Sequence, residues 1–87
     1  MSNKRDLKKR INEELAEVIE ACYDWQFEHT KEADKAEKII DETIETFDNL
    51  IGEINKRDLE NPKKHFSSIK DSLKKSKEAL LSKVSKL

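Results

Sequence analysis

Nine basic side chains fall in three short clusters: Lys4, Arg5, Lys8, Lys9 and Arg10; Lys56 and Arg57; Lys63 and Lys64. Clustered cations sum to a potential that attracts phosphate or an acidic protein surface. A second group that could do chemistry is aromatic: Tyr23, Trp25 and Phe27. Aromatic side chains anchor protein interfaces, because each covers a large apolar area. Covalent and metal chemistry have less to work with. The chain has one cysteine, Cys22, and two histidines, His29 and His65. A thiol nucleophile needs a histidine beside it to take its proton. His29 stands about two helical turns from Cys22, out of hydrogen-bond reach within one helix. A di-iron bundle needs Glu-x-x-His pairs turned inward, and neither histidine has a glutamate three residues before it. The acids Glu13, Glu14, Glu17, Glu20 and Asp24 flank an apolar seam rather than occupy it. With a single glycine, no phosphate-cradling Gly-rich loop can form. No catalytic residue, metal ligand, cofactor or small-molecule substrate is expected, and the chain is not read as an enzyme.

The elements that must position these groups are three apolar stripes at helical spacing. Helices are expected at about 4–28, 32–56 and 62–86 of the 87 residues, since an amphipathic helix repeats its apolar positions every three to four residues. In the first, Leu7, Ile11, Leu15, Val18, Cys22 and Trp25 form a seam. Ala16, Ile19, Tyr23 and Phe27 make a second row beside it, which two neighbouring helices would cover. The second seam is Ala33, Ala36, Ile40, Thr43, Phe47, Leu50 and Ile54, widened by Ile44 and Ile51. Gly52 near its end would loosen the last turn or allow close packing. The third seam is Phe66, Ile69, Leu73, Ser76, Leu80, Val84 and Leu87, introduced by Asn61-Pro62, an N-cap followed by proline at the first helical position. Ser67, Ser68, Ser72 and Ser76 weaken helix propensity there, so docking must hold that helix. The expected fold is all-α: one domain over residues 1–87, an antiparallel up-down-up three-helix bundle with helices of about 25 residues.

Net charge is −1, with 43% of residues charged and 34% hydrophobic. That near-neutral total hides a division. Residues 1–11 hold five bases and one acid, residues 12–60 five bases and sixteen acids, and residues 61–87 eight lysines and two acids. Complementarity follows: a lysine-rich third helix should lie against two acidic ones, fixing which helix sits where. In an up-down-up bundle the nine basic residues also share one end, where bases at helix N-termini oppose the helix dipole. Stability alone would place acids there, so the basic end is a candidate for anions. Nucleic acid is the less supported partner, because no aromatics are interleaved with the basic residues.

The run Asn3-Lys4-Arg5-Asp6-Leu7-Lys8-Lys9 followed by Ile11-Asn12 resembles the start of a group of small, uncharacterised bacterial helical-bundle proteins. In that group a comparable basic segment leads into an aromatic- and acid-bearing helix, and the resemblance implies no activity or site. The start lacks the apolar stretch of a secretory signal, and no apolar run exceeds three residues, as at Ala79-Leu80-Leu81, so no membrane span is expected. A single cysteine suits a reducing compartment and equally a cysteine-poor secreted chain, and with no signal segment at the start the expected location is cytoplasmic. The expected function is a non-catalytic protein–protein interaction module, with a protein partner or a second copy of the chain as its ligand. The alternative is a small anion- or nucleic-acid-binding protein that uses the basic end.

Overall fold

The computed structural model describes residues 4–56 and 60–87. Asn3 of the N-terminal motif and Arg57 of the basic group lie outside the described residues. Among those described there are three α-helices and no strand: α1 Lys4–Glu28, α2 Ala33–Ile54 and α3 Pro62–Ser85. A single 3₁₀ turn, Thr30–Glu32, joins the first two helices.

Local chemistry sets the boundaries. α1 stops where His29 leaves helical geometry, at φ −127° and ψ 61°, while its backbone N–H still donates to the Trp25 carbonyl at 2.9 Å. The Gln26 side chain then donates to the Ala33 carbonyl at 2.8 Å, tying the end of α1 to the start of α2. α2 has 22 residues, shorter than the expected span of 32–56 at both ends. Residues 30–32 turn as 3₁₀ rather than opening the helix, and Asn55 closes it by donating to the Ile51 carbonyl at 3.1 Å. α3 begins as its sequence demands: the Asn61 side-chain oxygen accepts the Lys64 N–H at 3.1 Å, with Pro62 at the first helical position. Such a cap satisfies a donor that the helix cannot satisfy itself.

Each helix touches the other two, and the molecule is a rod of 49 × 19 × 18 Å. The core is built from Leu7, Ile11, Leu15, Val18 and Cys22 of α1, Ala36, Ile39, Leu50 and Ile54 of α2, and Ile69, Leu73 and Leu80 of α3. α1 buries its expected seam as far as Cys22, and Trp25 is half-buried against the core. α2 departs from the expected seam, because Ile39 is buried and Ile40 only half-buried. At about 100° per residue these two lie on opposite sides of the Ala36 direction, so the tighter helix contact takes one of them. Thr43 is buried within this apolar set, and its hydroxyl donates to the Ile39 carbonyl at 2.7 Å. That bond removes the cost of an unpaired hydroxyl in a core. Gly52 serves no close approach, since a Cβ built there would meet nothing within 4 Å. Leu87 lies beyond the end of α3 and is exposed rather than part of the seam.

Charge complementarity seats α3 on the pair. Lys77 donates to both Glu14 and Glu17 of α1, and Lys83 reaches Glu42 of α2 at 2.6 Å. The hydrogen bond from the Lys77 ammonium lowers the Glu14 pKa, and the hydrogen bonds to the two carboxylates raise that of Lys77. At the other end of α3 the His65 ring donates from Nε2 to the Glu53 carbonyl at 2.7 Å, since a carbonyl only accepts. Among the described residues no helix is long and apolar enough to cross a membrane.

Candidate functional site

α1 and α2 together have two sides, and α3 covers one of them. On the uncovered side a groove runs between α1 and α2, lined by Asn12, Leu15, Ala16, Ile19, Thr43, Ile44 and Phe47. Its volume is about 230 Å³. The helical repeat explains its composition. Ala16, Ile19 and Tyr23 follow one another at three- and four-residue steps, so they stand side by side along α1. Ile40, Ile44, Phe47 and Ile51 do the same along α2.

This side is left open. Tyr23 is 58% exposed, Phe27 86% and Ile44 48%. The expectation that neighbouring helices would cover the second row of α1 is therefore corrected for Tyr23 and Phe27. Both lie more than a right angle around the helix from the Ile11 direction and toward the end of α1, past the residues that line the groove. The three aromatics accordingly separate. Trp25 faces the core and stacks on His29, ring centroids 4.2 Å apart and 11° from parallel, while Tyr23 and Phe27 face outward.

Acids border the apolar stripe. On α1, Glu13 and Glu20 flank Ala16 and Tyr23 in one row. On α2, Glu37, Asp41 and Asp48 share a row with Ile44. All five are exposed, and among the described residues none of them forms an ion pair. Lys9 and Lys38 are the bases nearest these rows, each one turn from an acid. The open side thus repeats the pattern of the covered side, an apolar strip between carboxylates, without the lysines that α3 supplies there.

The basic group is less concentrated than its sequence positions suggest. Lys4, Arg5, Lys9, Lys63 and Lys64 are exposed near helix starts, and Lys8 is half-buried. Lys56 is paired with Glu53 at 3.0 Å. Arg10 lies away from the cluster, in the α1–α3 groove with Glu14, Lys70, Asp71 and Lys74. Cations and carboxylates alternate in that groove, which removes the single-sign field an anion site requires.

Cys22 is buried in the core, and burial pushes its thiol pKa up, away from the reactive thiolate. His29 is occupied by Trp25 and by a 2.9 Å contact of its Nδ1 with the Trp25 carbonyl. Among the described residues no group of three or more His, Cys, Asp or Glu side chains converges to hold a metal. Sequence reasoning missed Gln26 as the brace of the α1–α2 turn, and it missed that the acids border the open stripe. A row count on each helix would have found the second. Comparison with known proteins finds no matching family model and no similar characterised protein or solved structure.

Proposed function

We propose that this chain is a non-catalytic protein–protein interaction module that binds through the uncovered face of α1 and α2. The observation that carries this reading is the exposure of Ile44 in an apolar α1–α2 groove and of Tyr23 one turn beyond Ile19, which lines it. An exposed apolar patch rimmed by polar residues is a common mark of an interaction site. The reading takes the chain as one up-down-up domain, supported by pairings at both ends of the rod. Gln26 meets Ala33, His65 meets Glu53, and Lys83 meets Glu42 far along both helices. A cytoplasmic setting, in which Cys22 stays reduced, accords with a thiol held inside the core. Anion binding at the basic end has less support, because Lys56 is taken by Glu53 and Arg10 sits among carboxylates.

A photo-crosslinking residue placed at Tyr23 or at Ile44, in the cells that make this chain, should yield one discrete adduct. The same residue at Lys75, exposed on the outer face of α3, should yield none. Adducts that are equal at all three positions, or absent at Tyr23 and Ile44, would remove the reading.

A further inference from the structure

We infer that the uncovered α1–α2 face takes a lysine- or arginine-rich amphipathic helix of a partner protein, a second counterpart of α3. The inference rests on the proposed interaction face and names its ligand. The covered side of the pair shows what such docking needs. α3 brings Ile69, Leu73 and Leu80 into the core and sets Lys77 and Lys83 on Glu14, Glu17 and Glu42 at its edges. The open side offers the same two components in the same relation. Its apolar strip runs through Ile19, Tyr23 and Ile44, and exposed carboxylates of Glu13, Glu20, Glu37, Asp41 and Asp48 border it. A helix that lays apolar i, i+3, i+4 positions into the groove would carry its flanking residues over those carboxylates. Basic flanks are favoured there, and acidic flanks meet like charge.

The same charges argue against a second copy of this chain as the occupant. A two-fold pair formed through this face sets an acidic border of one copy against an acidic border of the other, whichever way the axis runs, and like charges facing one another oppose association. Lys9 and Lys38 stand one turn from those acids, leaving two bases against the five carboxylates, and the lysines of α3 lie on the other side of the pair. A partner with basic flanks meets no such opposition.

The test titrates two helical peptides into the full chain by calorimetry. One has about three heptads with leucine at the a and d positions and lysine elsewhere, and its twin carries glutamate in place of lysine. The lysine peptide should bind one to one, at least about tenfold tighter than the glutamate twin. Two variants separate docking from general charge attraction. Y23S/I44S keeps every charge and should weaken binding at least about tenfold, and E20Q/D41N/D48N should do the same. Both alter exposed positions, and an unchanged thermal midpoint shows that they fold. Equal binding of the two peptides, or undiminished binding by Y23S/I44S, would overturn the inference. A dimer of the free chain that Ile44→Ser dissociates would also overturn it, by making a second copy the occupant. Should crosslinks form at Tyr23 and Ile44 while the lysine peptide fails to bind, the basic-helix ligand falls and the interaction face stands. Should neither occur, both fall.

Discussion

Ile11→Ala should destabilise the chain by about 2–5 kcal/mol, while Ile44→Ala should change stability by less than about 1 kcal/mol. The two residues are the same chemically, and both belong to apolar rows of long helices. Their surroundings differ. Ile11 is 0% exposed, among Leu7, Leu15 and the facing helices, so truncation loses transfer free energy and leaves a cavity in a close-packed interior. Ile44 is 48% exposed, so truncation loses little buried area, and alanine's better helix propensity offsets part of that loss. A chain of 87 residues has a total stability of roughly 4–13 kcal/mol. Ile11→Ala therefore consumes a large share of it. Urea unfolding followed by circular dichroism at 222 nm measures both changes. A large loss for Ile44→Ala would mean that the α1–α2 face belongs to the core and is not free for a partner.

Lys77→Glu should cost about 1–3 kcal/mol, and Lys75→Glu, which meets only Asp71 and Glu78 along its own helix, less than about 1 kcal/mol. Lys77 is 20% exposed and donates to Glu14 and Glu17 at once, whereas Lys75 is exposed with no ion pair among the described residues. Reversal at 77 removes two attractions and adds a third carboxylate where α3 meets α1. Dependence on pH gives a second check. Glu14's folded-state pKa is lowered, chiefly by the hydrogen bond from Lys77, so its contribution is present above the unfolded carboxylate value of about 4.3. It is lost as the pH falls through the lower folded value. Lys77's pKa is raised, first by the hydrogen bond to Glu14. Its contribution is complete below about pH 10.4 and disappears only as the pH rises through the higher folded value. Lys77→Met should flatten the acid limb of the stability profile below about pH 4.3, and Lys75→Met should leave it unchanged. An unaltered acid limb in Lys77→Met would show that the pair contributes nothing to docking.

The three helices were legible because periodicity is a strong signal over two dozen residues. Asn61-Pro62 marked the start of α3 to the residue, since its cap chemistry is local. The early end of α2 was not legible, because no proline or glycine cap stops the helix at Asn55. The division between Ile39 and Ile40 depends on which neighbour packs closer, a tertiary fact that spacing along one helix does not contain. The same limit hid the open face. A widened stripe on α1 and α2 predicts two neighbours for each helix, but not which part of the width those neighbours reach. Tyr23, Phe27 and Ile44 lie outside that reach. The acids around them count in the sequence only toward the acidic middle segment, residues 12–60, and it is the folded helices that place them along one groove.

The most direct measurement is an amide-shift map of the isotope-labelled chain as the lysine heptad peptide is added. Shifts confined to Ala16, Ile19, Glu20, Tyr23, Asp41, Ile44 and Asp48, with α3 unmoved, are expected. Shifts centred on Lys77, Lys83 and the α3 core residues would mean that the peptide displaces α3, and would contradict an independent site on the uncovered α1–α2 face.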